Sequence, residues 1–124
     1  MPKRSQRFDR RRRILRARDY ERVFEGPCRS RNALFIVLAR DNGGYLPRLG
    51  LAIARRHVRG AVRRNRLKRI VRESFRTHQH LLRGLDVVVV GRQGLESADA
   101  QTLSASLEQH WKNLSGRCKG SSSG

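Results

Sequence analysis

The longest helical pattern in the chain covers residues 60–77, GAVRRNRLKRIVRESFRT. Its apolar positions recur at i, i+3, i+4 and i+7, the spacing that gathers side chains on one side of an α-helix. This side consists of Leu67, Ile70, Val71 and Ser74, with Phe75 at its edge. The opposite side consists of Asn65, Arg69, Arg72 and Arg76. The pattern predicts a helix with one buried face and one basic face.

Shorter patterns precede this helix. Tyr20, Val23 and Phe24 recur at helical spacing before a Gly-Pro pair, which predicts a short helix starting near Arg18 or Asp19. Runs 33–40 and 48–54 are rich in β-formers and are separated by the turn sequence DNGG, so they predict two antiparallel strands. Residues 28–30 carry a weaker strand pattern.

Two further elements follow the basic helix. Residues 86–90, DVVVV, form a continuous apolar run that predicts an interior strand covered on both faces, as in parallel sheets. A last helix is predicted from the stripe Leu103, Leu107, Trp111 and Leu114. Ser97 is its expected N-cap, with Asp99 in its first turn. The Gly- and Ser-rich residues after 115 predict a flexible tail.

The order of these elements is helix, two or three strands, helix, strand, helix. Such an order predicts an α/β (α+β) two-layer sandwich, with a small mixed sheet of about four strands and three helices packed on it. A chain of 124 residues is long enough for one domain, which we assign to residues 1–115. Its first part, 1–13, is a basic arm too charged to fold alone, and residues 116–124 form the tail.

Charge narrows the range of partners. The chain has 29 Lys and Arg against 10 Asp and Glu, a formal net charge of +19. Between Arg55 and Arg76 there are ten basic residues and one acid, so like charges adjoin instead of alternating with acids. A bound polyanion would relieve this repulsion. Because no apolar run reaches the roughly 20 residues of a membrane span, and the N-terminus lacks a secretory pattern, nucleic acid is a better partner than a membrane.

Candidate catalytic groups are scarce. The two cysteines show neither a disulfide framework nor a zinc spacing, which predicts a reduced, cytoplasmic protein. The acids do not cluster, and turns or helix starts explain most of them. His78 and His80 are a weak candidate pair for a nuclease acting alone, with an exposed turn as the alternative, and His57 is better placed to contact phosphate. The residues therefore indicate binding, with no catalytic or metal site in the chain.

The basic helix also carries a family pattern. Residues 61–69, AVRRNRLKR, followed by Arg72-Glu73 and Arg76, resemble the signature of the bacterial ribonuclease P protein subunit, an RNR core followed by KR and RE. The resemblance extends roughly from Phe8 to Leu114. It implies the α/β sandwich described above, with a left-handed crossover between parallel strands, although such crossovers are usually right-handed.

The resemblance implies a function as well. In this family an RNA subunit, with Mg²⁺ bound mainly by that RNA, hydrolyses the phosphodiester at the 5′ end of mature tRNA. The protein holds precursor tRNA and contacts its 5′ leader. The implied partners are the catalytic RNA and precursor tRNA, with one monomeric protein per RNA in the cytoplasm.

Individual roles follow from the matching positions. The implied contacts to the RNA subunit are Arg64, Asn65, Arg66, Lys68, Arg69 and Arg72. The implied leader-binding residues are Arg13, Tyr20, Phe24, Phe35, Arg55 and Arg56. Leu38 departs from the family at a position where many relatives have an aromatic residue. The Arg55-Arg56 pair stands where two lysines are common.

A structural RNA-binding protein of the ribosomal type is the alternative. The size, charge and fold class of this chain fit such a protein equally well, and only the 61–76 motif argues against this alternative.

Overall fold

A four-stranded mixed sheet lies at the centre of the computed structural model, which describes residues 17–25, 28–44 and 46–122. In chain order its strands are β1 (Cys28–Arg31), β2 (Phe35–Asp41), β3 (Arg48–Ala52) and β4 (Leu85–Gly91). The α-helices within the described ranges are α1 (Ala17–Phe24), α2 (Ala61–Thr77) and α3 (Ala100–Ser122). The predicted fold class is confirmed. The predicted basic arm, 1–13, lies outside the described residues.

The two faces of the sheet are covered by different helices. On one face, α2 and α3 pack against the strands and form the main core. The largest side chains of this core are Phe35, Phe75, Leu82, Leu107, Trp111 and Leu114. On the other face, α1 packs Val23 against Leu38 and Val88 in a smaller cluster. Among the described residues, two helices therefore cover one side of the sheet and one short helix covers the other.

Strand β4 occupies the interior of the sheet, in the order β1-β2-β4-β3. Val87, Val88 and Val89 are fully buried, which explains why this strand reads as a continuous apolar run. The prediction of an interior strand is confirmed, and β4 pairs in parallel with β3. The predicted pairing of the segments at 33–40 and 48–54 is wrong, because β4 lies between them. Hydropathy marks the most buried strand but does not specify its neighbours.

The start of α3 differs from the prediction. The backbone N–H of Thr102 donates to Oδ1 of Asp99 at 2.8 Å, so Asp99 and not Ser97 caps this helix. Hydrogen bonds from Thr102 also hold the pKa of Asp99 below its usual value. Ser97 instead ends a 3₁₀ turn, Gln93–Ser97. Ser and Asp are both good N-cap residues, but Ser97 belongs to the 3₁₀ turn, so Asp99 is left to cap the helix.

The end of α3 corrects two further predictions. The helix continues to Ser122, so residues 116–122 do not form a flexible tail. Cys118 is joined to Cys28 of β1 in a disulfide whose Cα atoms lie 5.6 Å apart, although 90 positions separate the two residues in sequence. The prediction of a reduced protein with no disulfide is therefore wrong. Docking of α3 on β1 brings them together, and this contact overrides the weak helix propensity of the Gly- and Ser-rich end.

The parallel strands β3 and β4 are joined through α2. This connection is the crossover for which the resemblance implies a left hand, and the hand stays a prediction.

Candidate nucleic-acid interface

Helix α2 is fixed in rotation by its apolar face. Leu67, Val71 and Phe75 are buried, one turn apart from each other. Phe75 meets Trp111 of α3 edge to face, with ring centroids 6.0 Å apart. The Nε1–H of Trp111 donates to Oγ of Ser74 at 2.8 Å, which satisfies the indole group of this buried residue. The predicted buried face is confirmed, and the polar positions of α2 must face outward.

The six residues predicted to contact the RNA subunit lie in rows along α2. Asn65, Arg66 and Arg69 are exposed, whereas Arg64, Lys68 and Arg72 are half-buried and follow each other at intervals of one turn. Half-buried long side chains pack their stems and keep the charged group at the surface. The structure therefore brings these residues together on one helix as a broad basic surface.

The two ends of this basic surface are held by specific contacts. At the N-terminal end, Nη1 of Arg64 donates to the carbonyl oxygen of Val58 at 3.3 Å. At the C-terminal end, Arg76 pairs with Glu73, the only acid of the helix, one turn earlier. This hydrogen bond lowers the pKa of Glu73 and raises that of Arg76. The single acid thus lies at one end of the basic surface and is engaged by a base.

A second surface lies on the α1 side of the sheet. Tyr20 is half-buried and its ring lies on Gly50 of β3, so closely that a Cβ atom there would come within 2.8–2.9 Å of ring atoms. Phe24, at the end of α1, is 46% exposed. The two predicted leader-binding aromatics of α1 are therefore at or near the surface, and glycine at position 50 makes room for one of them.

Phe35 does not belong to this surface. It is fully buried on the opposite face of the sheet, where it meets His110 edge to face at a centroid distance of 6.2 Å. Successive residues of a strand point to opposite faces, so Ile36 and Leu38 face α1 and Phe35 faces α3. The prediction that Phe35 lines a leader cleft is wrong. Phe35 and Leu38 are three positions apart on one strand, so their side chains point to opposite faces of the sheet. Because Leu38 packs beneath α1, this alternation was the available sign that Phe35 does not face α1.

The remaining leader-binding candidates are the arginines. Arg55 and Arg56 are exposed in the turn that follows β3 and precedes α2. In chain order they therefore lie between β3 and the start of the basic helix. Arg13 lies outside the described residues.

The histidine pair has a structural explanation. Nδ1 of His78 lies 2.7 Å from the carbonyl oxygen of Ser74, so this ring nitrogen donates a hydrogen bond at the end of α2. The rings of His78 and His80 stack with centroids 6.4 Å apart. Among residues 17–25, 28–44 and 46–122, no group of three or more His, Cys, Asp and Glu side chains could hold a metal ion. This arrangement does not support a nuclease site built on the two histidines.

Membrane insertion finds no support in the helices that the structure describes, since none of them is long and apolar enough to cross a bilayer.

A mixed α/β domain with an arginine-rich helix and a partly open sheet face has the fold and surface charge typical of nucleic-acid-binding proteins. The sequence model of the Ribonuclease P family matches residues 8–115, and the chain belongs to this family. Membership makes it a protein subunit in bacterial tRNA processing, in an endoribonuclease that contains ribonuclease P RNA. The family assignment favours this role over the ribosomal-type alternative.

Individual relatives agree with the family. The ribonuclease P protein component of Methylococcus capsulatus is 47% identical over 116 residues, covering 94% of this chain and 91% of the relative. That of Pseudomonas putida is 44% identical over 111 residues, covering 89% and 84%.

Solved structures agree as well. The RNase P protein of Staphylococcus aureus superposes with a TM-score of 0.75 at 28% identity, over 82% of this chain and 93% of the other. The RNase P protein of Thermotoga maritima, in complex with 1-(4-fluorophenyl)-2-thiourea, gives a TM-score of 0.73 at 36% identity, over 82% and 99%.

Proposed function

We propose that this chain binds the catalytic RNA of ribonuclease P and the 5′ leader of precursor tRNA, and so promotes hydrolytic removal of the leader to generate the mature 5′ end. The chain itself carries no step of bond cleavage. The observation that carries the proposal is the division of α2 into a buried apolar face and a continuous basic surface, within the segment that matches the family.

The basic surface of α2 is the proposed contact to the RNA subunit. Its side chains are mainly arginines, which can donate two parallel hydrogen bonds to one phosphate. Arg64, Lys68 and Arg72 are half-buried, so part of each side chain is already packed before RNA arrives. Binding then costs less side-chain entropy. Exposed Asn65, Arg66 and Arg69 are placed to reach further phosphates and base edges.

The α1 side of the sheet is the proposed leader site. Single-stranded nucleic acid binds where aromatic rings can stack on bases and basic side chains can contact phosphates. Tyr20 and Phe24 supply the rings, and Arg55 and Arg56 supply the charges. Half-buried Ile36 takes the place on this face that Phe35 was expected to have. Arg13 belongs to the same proposal through the family resemblance alone.

Magnesium belongs to the proposal only through the RNA. The described residues do not fit a magnesium site of their own, since they contain no group of three or more candidate ligands. Mg²⁺ prefers oxygen ligands and commonly binds with substrate phosphates, which an RNA subunit supplies in abundance. We therefore assign the ion mainly to the RNA, and assign one monomeric protein per RNA in the cytoplasm.

The deciding experiment is cleavage of precursor tRNA at low magnesium concentration. Three reactions are compared: the purified protein alone, a cognate ribonuclease P RNA alone, and the two together. We expect efficient cleavage at the mature 5′ end only in the mixture, because the protein is needed to hold both RNAs together. Cleavage by the protein alone would overturn the assignment of chemistry to RNA. A mixture no better than the RNA alone would contradict the subunit role.

A further inference from the structure

The outer strand β1 presents two arginines on the same side of the sheet as α1. Its residues alternate in burial: Cys28 and Ser30 are buried, whereas Arg29 and Arg31 are exposed. Ser30 contacts His110 of α3, which shows that the buried residues face α3. Since successive side chains of a strand point to opposite faces, the two arginines face the α1 side.

Strand register defines two rows of side chains across this side of the sheet. The row beneath α1 consists of Arg29, Leu38, Val88 and Gly50. The neighbouring row consists of Arg31, Ile36, Val90 and Ala52. Helix α1 packs Val23 and Tyr20 on the first row, while the apolar members of the second row stay only half-buried. The second row is a partly open apolar strip that ends in an exposed arginine.

The other end of this strip is basic as well. Ala52, its last residue, lies in β3 shortly before the exposed Arg55 and Arg56. Neighbouring strands are about 4.8 Å apart, so the strip spans roughly 14 Å from β1 to β3, the length of a few nucleotides. Arg29 and Arg31 are separated by about 6.8 Å along β1. This separation is comparable to that of neighbouring phosphates in an extended single strand.

We propose that Arg31, with Arg29 beside it, holds phosphates of the leader where the single strand reaches the β1 edge of the sheet. The two are positioning residues for the substrate, at the end of the strip opposite Arg55 and Arg56. This inference rests on the proposed leader site and extends it across the sheet. Charged residues on an edge strand can also serve only to prevent edge-to-edge association, a role that involves no RNA.

The test uses holoenzyme reconstituted with Arg31→Gln or Arg29→Gln. Affinity is measured against salt for three RNAs: precursor tRNA whose leader is long enough to cross the sheet, precursor with a single-nucleotide leader, and mature tRNA. We expect Arg31→Gln to weaken binding of the long-leader precursor several-fold and to leave the other two unchanged. The log–log salt slope for the long leader should become shallower by about 0.7 for each phosphate that the variant no longer neutralises.

Lys112→Gln is the matched control, because it removes one positive charge from an exposed position of α3 on the far side of the sheet. An effect no larger than that of this control, or an equal effect on long and short leaders, would overturn the inference. If the unsubstituted holoenzyme itself shows no preference for the long leader, the proposed leader site fails. The proposed contact of Arg31 and Arg29 with the leader then fails as well. The two failures are therefore distinguishable.

Discussion

Oγ of Ser30 lies 2.7 Å from Nδ1 of His110, and both residues are only 2% exposed. The amide of Asn113 donates to the same Oγ at 3.1 Å. Nε2 of His110 has no hydrogen-bond partner among the described residues. A proton on Nε2 would leave a buried donor unsatisfied, so the neutral ring with its proton on Nδ1, donated to Ser30, is the favoured form.

Stability should consequently fall at mildly acidic pH. Burial lowers the pKa of His110 to about 4, whereas the unfolded chain binds this proton near 6.5. The unfolded state then binds more protons between these values, so the contribution to stability is complete above pH 6.5 and is lost as pH falls towards 4. The full effect is on the order of 3 kcal/mol. Between pH 7 and pH 5 about 2 kcal/mol of this contribution should be lost, and urea unfolding at the two pH values measures that loss.

His110→Asn is the control for this prediction. The asparagine amide can replace Nδ1 in the contact with Ser30 but does not titrate in this range. The variant will be less stable overall, because it leaves a cavity, yet its loss of stability between pH 7 and pH 5 should be smaller than that of the parent protein. Equal pH dependence in the two proteins would mean that groups other than His110 account for it.

The disulfide between Cys28 and Cys118 should stabilise the protein measurably. It joins β1 to the last turns of α3 and closes a long loop, for which a contribution of roughly 2–4 kcal/mol is typical. Reductant should lower the urea midpoint by the corresponding amount, and Cys28→Ser should make the midpoint insensitive to reductant. An unchanged midpoint in the parent protein would contradict the prediction. In a reducing cytoplasm this contribution would be absent, and α3 would be held on β1 by its other contacts.

Features set by residues that are close in sequence could be predicted, whereas contacts between residues far apart in sequence could not. The burial of Leu67, Val71 and Phe75 follows from spacing within one helix, and the interior position of β4 follows from Val87–Val90 being apolar throughout. The contact between Ser30 and His110 joins residues 80 positions apart. Since β1 reads as a short polar segment, CRSR, nothing local indicates that half of it is buried. Only the docking of α3 creates that environment.

The site was predictable in part for the same reason. Spacing alone groups Arg64, Lys68 and Arg72 at intervals of one turn on α2, because all three belong to one element. The leader surface is built from several strands, so its residues depend on which face of the sheet each side chain points to. An error of one residue in this assignment puts Phe35 on the surface in place of Ile36. Arg29 and Arg31 were missed because their face is defined by register with β2, which the sequence does not specify.

The ion pair between Arg48 and Asp86 should be important for folding and unimportant for RNA binding. Nε of Arg48 donates to Oδ1 of Asp86 at 2.8 Å, and Nη2 donates to Oδ2 at 2.5 Å, where β3 first pairs with β4. Asp86→Asn removes the carboxylate charge that faces this partly buried guanidinium. Because the side chain of Arg48 is 33% exposed, we expect a loss of about 1–3 kcal/mol, below the usual figure for fully buried pairs.

Glu73→Gln provides the comparison for Asp86→Asn, since it removes a carboxylate from the exposed pair with Arg76. Surface pairs contribute at most about 1 kcal/mol, so the urea midpoint should change little. Chemical denaturation of both variants at pH 7 tests the ranking, and a larger destabilisation by Glu73→Gln would reverse it.

Substitution on the basic surface of α2 should impair the holoenzyme without unfolding the protein. Arg69 is exposed, so Arg69→Ala should leave the urea midpoint unchanged while lowering affinity for ribonuclease P RNA. If the surface neutralises about five phosphates, the parent protein should bind with a log–log salt slope on the order of −3.5 to −4.5. Arg69→Ala should make this slope shallower. Binding that does not respond to salt would contradict a phosphate-contacting role for the helix.

Gly50 and Tyr20 should be energetically coupled. A Cβ atom at position 50 would come within 2.8–2.9 Å of the Tyr20 ring, so Gly50→Ala must displace the ring from the sheet. We expect the substitution to weaken binding of long-leader precursor by the holoenzyme while leaving mature tRNA binding unchanged. In a Tyr20→Ala background the same substitution should have little further effect, because the ring that it displaces is gone. Equal effects in both backgrounds would show that Gly50 acts through the strand and not through Tyr20.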